Sequence, residues 1–415
     1  MLLHGFEVLW RMHAAMKVIV INCGSSSVKY QLHDVSLDQV LAKGIVARIG
    51  EEGSSLRHQS RGSATEKEVT VASHGEAFEV IRRALLDPKG GVISSVSEIS
   101  AVGHRVVHGG ETFVDSVLIT DDVVAKLEKC IPLAPLHNPA NLIGIREARR
   151  IFPDIPHVAV FDTAFHETLP PKAYLYALPY GIYETHRIRR YGFHGTSYRY
   201  VSQRAAGLLD KPLNEVKMII CHLGNGVSMV ALDGGKSIDT SMGLTPLEGL
   251  IMGTRSGDID PGVLFFLHRE LGLSIDRLED LLNRESGLLG ISGVSNDMRD
   301  VIQKAGEGNQ RCRSALEAFA YRAKKYVGAY VAALGGLDAL VFTAGIGENS
   351  PLVRHMICEN LECMGISLDE TKNEEAIGVE KLISTPTSRA SILVVPTDEE
   401  RVIVMDTLAV AGLAS

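Results

Sequence analysis

Residues 17–31 read KVIVIN-CGSSS-VKYQ: an apolar β-branched run, a turn of small residues, and a second run of strand character. About 200 residues later, 217–232 repeat the plan as KMIICH-LGNG-VSMVAL. Two β-turn-β openings at that separation suggest two related halves facing each other, the alternative being a chance likeness of two hairpins. Three more apolar runs end the same way: Val158–Phe161 into DTAFH, Val341–Thr343 into AGIGENS, and Ile392–Val395 into PTDEE. Buried strands of this kind between helical stretches indicate α/β layers. In open α/β sheets ligands bind beyond the carboxyl ends of strands, so the five turns are candidate walls of one site.

Helix punctuation surrounds these strands. Thr245-Pro246-Leu247-Glu248 has the spacing of a capping box with proline at the first helical position. Asp260-Pro261 and Ser350-Pro351 read as cap-plus-proline starts. Thr397-Asp398-Glu399-Glu400 repeats the capping-box spacing and opens a helix expected to run through Met405. A long helix is expected over 314–334, closed by Gly335-Gly336.

The 415 residues suffice for two or three domains at roughly 150 residues each. Glycine is abundant, 40 of 415, against an average of about 7%. The net charge of −8 argues against a broad nucleic-acid or membrane-surface binder, which would want a basic field. Six cysteines without a CxxC pair suggest a reduced, cytoplasmic protein rather than a disulfide scaffold or zinc module. No apolar run approaches the ~20 residues of a membrane span. Residues 1–15 are broken by His4, Glu7, Arg11 and His13 and read as an extension outside the fold, ahead of Met16.

The turns carry the chemistry. CGSSS, LGNG and AGIGEN offer backbone N–H groups in a small arc after a strand, an arrangement that binds phosphate without net positive charge. A plain hairpin is the alternative for any one of them. Neither GxGxxG nor a complete Walker motif is present. Arg105 in GHRVVHGG and Arg255 in MGTRSGDIDP present a planar fork suited to carboxylate or phosphate, a surface ion pair being the alternative. Lys29 follows CGSSS and is either a phosphate contact or a solvated strand lysine. His137 in APLHNP and His194 in YGFHGTS lie in bounded turns, where a structural histidine is the commoner occupant. No HExxH or CxxC-H pattern indicates a histidine metal site. Asp162 and Asn22 each end a strand with a polar group, and Glu399 sits in the first turn of the last helix, where the dipole alone would favour it. Oxygen ligands from Asn22 and Glu399, completed by phosphates and water, would suit Mg²⁺.

Together INCGSSSVKY, GHRVVHGGE, APLHNP, FDTAFH, RRYGFHGTS, HLGNG, TSMGLTPLEG, MGTRSGDIDP, SNDMRD and FTAGIGENS resemble the acetate kinase family, in that family's order and over nearly the whole chain. The resemblance implies a duplicated actin-like (ribonuclease H-like) α/β fold of two domains with the active site in the interdomain cleft. It implies an N-terminal acyl-substrate and metal domain over 16–163 plus 400–415, and a nucleotide-binding and dimerisation domain over 164–399. The implied reaction is reversible, Mg²⁺-dependent transfer of the ATP γ-phosphoryl group to acetate, giving acetyl phosphate and ADP, with Mn²⁺ as a substitute metal. A cytoplasmic homodimer is implied, with neither nucleic acid nor membrane as partner.

By motif, Asn22 and Glu399 resemble the metal-associated pair, and Asp162, His194 and Arg255 the catalytic set. Arg105 and His137 resemble substrate contacts, with Val107, Leu136 and Pro246 as the pocket for the acyl methyl group. Lys29, His222, Leu223, Gly224, Asn225, Gly226, Asp297, Met298, Arg299, Gly345, Ile346, Gly347, Glu348 and Asn349 match nucleotide-binding segments. Tyr198 stands where the family has histidine, with little change in chemistry expected, and Asp398 adds a carboxylate beside Glu399 that would tighten or displace Mg²⁺. Because a carboxylic acid with a pKa of about 4 is already ionised at pH 7, Asp162 is expected to position Mg²⁺ or Arg255 rather than abstract a proton. Valine at 107 should favour acetate over propionate. The rival readings are a propionate kinase, a sugar or glycerol kinase of the same superfamily, and an actin-like ATPase or binding protein that transfers no acyl phosphate.

Overall fold

A computed structural model describes residues 16–414. The reading of 1–15 as an extension falls outside the described residues. The chain forms two compact units, one of residues up to Phe165 with Asp398 onward and the other His166–Thr397. These divisions fall two residues from those read in the sequence and put Glu399 in the first unit.

The first unit is built on a sheet of eight strands: β1 (Lys17–Cys23), β2 (Ser27–Asp34), β3 (Gln39–Ala47), β4 (Ser55–Ser60), β5 (Ser63–Glu68), β6 (Ile99–Val106), β7 (Val117–Leu118) and β8 (His157–Phe161). Their order is β5-β4-β3-β2-β1-β6-β8-β7. Strands β1, β2 and β3 are antiparallel neighbours, whereas β6 and β8 run parallel to β1. β1 is apolar on both of its faces, which explains its place at the centre. Val18 and Val20 pack with Ile403, Val404 and Leu408 of the last helix, and Ile19, Ile21 and Cys23 pack with Phe78, Ile81 and Ala148 on the opposite face. Each such fully buried side chain contributes about 1.5–3 kcal/mol.

Strand β6 is absent from the sequence reading, because Gly103, His104 and Arg105 break its apolar run. The fold uses each of them. A Cβ at Gly103 would lie 2.5 Å from Thr407 Oγ1 and 2.6 Å from Ile403 Cγ2, so glycine lets the last helix approach the sheet. His104 is buried against His157 on β8, Nε2 to Nδ1 3.0 Å, and His157 Nε2 bonds the Phe152 carbonyl. Burial holds the His104 imidazole well below its usual pKa.

The second unit repeats the plan with β9 (Lys217–Leu223), β10 (Val227–Asp233), β11 (Lys236–Thr240), β12 (Ala339–Thr343), β13 (Lys381–Leu382) and β14 (Ser391–Val394), ordered β11-β10-β9-β12-β14-β13. An antiparallel trio followed by two parallel strands matches β3-β2-β1-β6-β8 of the first unit. The duplication inferred from two hairpins is therefore a duplication of whole sheets. Among the described residues, no helix is long and apolar enough to cross a membrane.

Three helix readings change. The long helix spans Gln310–Leu334, beginning earlier because Asn309 caps it. The last helix spans Glu399–Val410 with Asp398, not Thr397, as its cap; Asp398 accepts from the Arg401 N–H. No helix follows Thr245, because the carboxylate expected to close its capping box is held elsewhere: Glu248 pairs with Arg190 (2.6 Å) and accepts from the Tyr176 hydroxyl (2.5 Å).

Candidate active site

In the first unit, the polar residues that end strands gather beside one another. Asn22 at the end of β1 is the register partner of Lys29 on β2, so the two side chains share a face. Arg105 lies near the end of β6, and Asp162 follows β8, its parallel neighbour. Arg105 Nε donates to Asp162 Oδ1 at 2.9 Å and Nη2 to Oδ2 at 2.6 Å, a two-pronged pair with Asp162 1% exposed. Burial works against the Arg105 charge, but Asp162 and Glu399 outweigh it and raise its pKa. Glu399 opens the last helix half-buried. Burial pushes its carboxyl up to about 7, with Arg105 opposing and Asp162 and Glu400 reinforcing the shift.

Asp162 therefore grips Arg105, a partner the sequence reading did not assign to it. Asp398 Oδ1 is engaged as the cap of the last helix, accepting from the Arg401 N–H. Val107, just beyond β6, is half-buried and donates its N–H to Asn141 Oδ1, while Leu136 is exposed and His137 precedes the helix Asn138–Ile151. Asn141 also donates to the Cys23 carbonyl, tying the ends of β1 and β6 together. Nothing in the local sequence marks Asn141 for that task.

In the second unit, His194 adopts left-handed backbone (φ 60°) as it enters the helix Gly195–Leu208. That conformation is uncommon for a non-glycine residue and persists where the surroundings enforce it. Its ring stacks on His222 (centroids 4.1 Å apart), and its Nδ1 lies 2.7 Å from the Ser228 hydroxyl. A methyl placed at Gly226 would sit 3.4 Å from His194 Nε2 and 3.7 Å from Arg255 Nη1. The histidine and the arginine therefore meet over the β9–β10 turn.

The turn itself is pinned. Asn225 accepts from the Gly253 N–H at 2.9 Å and from Asn296 Nδ2 at 3.1 Å, bringing the LGNG, MGTRSG and SND segments together. Arg255 donates to the Pro246 carbonyl at 3.2 Å. The Tyr176–Glu248–Arg190 cluster and Asp258, which accepts from the Gly249 N–H and the Tyr326 hydroxyl, brace the loop that carries Pro246 and Arg255. These supports come from distant sequence and went unread.

Of the remaining nucleotide candidates, Asp297 caps the helix Met298–Gly306 and pairs with the exposed Arg299 guanidinium. Gly345 to Asn349 lie in the short helix Ala344–Asn349 after β12, whose first residue, Ala344, has φ 62°. Arg354, fully buried, donates to the carbonyls of Gly347, Asn373 and Ala376 and holds that segment from beneath. Glu348 accepts from the Thr397 N–H, and the Thr397 hydroxyl donates to Ser197, which bonds His222 Nδ1.

A family model for acetokinases matches residues 17–405. The chain belongs to the acetokinase family. The acetate kinases of Caldanaerobacter subterraneus subsp. tengcongensis and Thermotoga maritima are each 56% identical to it over 394 residues, 94% of this chain and 98% of each relative. The crystal structure of Porphyromonas gingivalis acetate kinase superposes with a TM-score of 0.91 at 50% identity, covering 95% of this chain and all of that one. A propionate kinase from Francisella tularensis superposes at 0.89 with 44% identity over 95% of this chain and 99% of that one. Membership in the acetokinase family accounts for the duplicated sheet order in both units.

Proposed function

We propose that this enzyme transfers the γ-phosphoryl group of ATP to acetate, reversibly, giving acetyl phosphate and ADP. The observation that carries this reading is the commitment of Asp162 to Arg105. The first unit thereby offers a guanidinium locked by Asp162, and a carboxylate so engaged is not available to take a proton. That suits a nucleophile that is already an anion, and it suits a sugar hydroxyl poorly, since a hydroxyl needs a base. One acetate oxygen attacks the γ-phosphorus, the bond from that phosphorus to the bridging oxygen of ADP breaks, and ADP leaves as an anion. No proton is transferred.

In this reading Arg105 orients the carboxylate, and Arg255 with the His194 N–H neutralises charge on the transferring phosphoryl oxygens. The turn at His222–Gly226 and the segments 297–299 and 345–349 hold nucleotide. The residues fit Mg²⁺: no hydrogen bond among the described residues commits the Asn22 carboxamide or the Glu399 carboxylate. Mg²⁺ takes oxygen ligands, and two protein oxygens would leave the remaining positions to phosphates and water. Asn22 and Glu399 would hold Mg²⁺, which when bound would supply positive charge to offset that of the phosphates.

Acetate is favoured over propionate because Val107 narrows the acyl pocket, the propionate kinase likeness notwithstanding. The protein acts in the cytoplasm, in keeping with six free cysteines. It works as a homodimer through the second unit, where the helix Pro261–Leu271 has no buried residue and exposes Phe265, Phe266 and Leu271, with Ile275 following. Sedimentation at micromolar concentration should give a dimer; a monomer would remove that part of the reading. Trapping the acyl phosphate with hydroxylamine, from ATP and acetate, tests the reaction.

A further inference from the structure

His194 is bonded through Nδ1 to a serine hydroxyl, and that hydroxyl has a second partner. Ser228 Oγ lies 2.7 Å from His194 Nδ1 and also hydrogen-bonds the Tyr198 phenol. Tyr198 is fully buried, one helical turn after His194, with its ring edge-on to His166 and His222. We propose that Tyr198 is a positioning residue for His194: acting through Ser228, its phenol fixes the imidazole as the tautomer that carries its proton on Nε2.

The reasoning is a count of hydrogens. A serine hydroxyl donates once and accepts elsewhere, so alone it serves either imidazole tautomer. A phenol is a stronger donor and a weaker acceptor than an aliphatic hydroxyl, so in the Tyr198–Ser228 bond it takes the donor role. The serine hydrogen is then directed at Nδ1, which must be the bare nitrogen. The ring proton is left on Nε2, the atom that faces Gly226 and Arg255. Which ring nitrogen carries the proton is set by the bond the other one makes. Protonating Nδ1 would reverse both bonds and turn the phenol hydrogen away from Ser228. The other ionisable groups around the imidazole are His222 on its face and Arg255 across Gly226, with His166 behind Tyr198. Only a side chain with a hydroxyl at this distance completes the relay, so Tyr198 does more than fill space.

The proposal rests on His194 donating its N–H to the phosphoryl group, as argued above. Its first test requires no turnover. In protein labelled with ¹⁵N-histidine, long-range ¹H–¹⁵N correlation, assigned with His194→Gln, should show His194 at pH 7.5 as the neutral Nε2–H form. Finding the Nδ1–H form would overturn the proposal. The second test is a cycle of Tyr198→Phe and Ser228→Ala. Tyr198→Phe should lower kcat at pH 8.5, where the neutral ring can move its proton to Nδ1, and much less at pH 6.5, where an imidazolium carries a proton on Nε2 in either case, with KM for ATP and acetate within about twofold. In the Ser228→Ala background the same change should have no further effect. A uniform loss at both pH values, or losses that multiply, would mark Tyr198 as structural and contradict the proposal. Should Tyr198→Phe fail to fold, the tautomer of the unmodified protein decides. Failure of the wild-type protein to make acetyl phosphate would count against the function and leave the tautomer test intact.

Discussion

Asp162 and Arg105 form one rigid unit: a carboxylate with 2% side-chain exposure gripping a guanidinium through two parallel hydrogen bonds of 2.9 and 2.6 Å. The pair joins the ends of two parallel strands, so it aims the guanidinium's remaining N–H groups from a fixed backbone. Planar geometry matters here as much as charge.

Arg105→Lys therefore tests geometry separately from charge. It keeps the cation but loses the fork. Steady-state kinetics should show KM for acetate raised at least about tenfold, with KM for ATP little changed. A near wild-type KM for acetate would show that charge alone suffices.

Asp162→Asn should behave as a positioning change. KM for acetate rises, Mg²⁺ activation stays as it was, and the loss is the same across pH 6 to 9. Breaking this buried pair should also lower stability by about 3 kcal/mol, measured by urea denaturation. A loss of activity that recovers steeply at high pH would instead indicate that Asp162 moves a proton.

Arg255→Ala removes a fixed donor above the β9–β10 turn. A fall in kcat/KM of about 10²–10³ is expected, the scale of one preorganised contact to developing charge. A variant within threefold of wild type would exclude Arg255 from the transition state.

Acid stability follows from buried histidines. Burial lowers both His33 and His166 from 6.5 to about 4, with the His166 bond to the Phe193 carbonyl opposing. A base whose folded pKa is depressed contributes stability above its unfolded value of 6.5, and that contribution is lost as pH falls toward 4. Each is worth about 3 kcal/mol over that window. The urea midpoint should hold between pH 8 and 7 and then fall steadily to pH 4.5, less steeply in His166→Asn. A constant midpoint down to pH 4.5 would contradict this.

The sequence displays whatever is local. The two β-turn-β openings are continuous stretches, and Asp260-Pro261 and Ser350-Pro351 cap the helices they precede. Strand β6 hides because its interruptions are justified only by distant partners, His157 for His104 and the last helix for Gly103. The failed capping box at Thr245 has the same cause: Tyr176 and Arg190, far upstream, take the Glu248 carboxylate. That Asp162 must have a polar partner is readable, since it is a carboxylate ending a buried strand. The identity of that partner, 57 residues away, is not.

The most direct measurement is acetohydroxamate formed per ADP when the full chain turns over MgATP and acetate in hydroxylamine. The account predicts one acetohydroxamate for each ADP, with kcat/KM for acetate above that for propionate. ADP released without hydroxamate would contradict acyl phosphate formation, and a preference for propionate would contradict the part assigned to Val107.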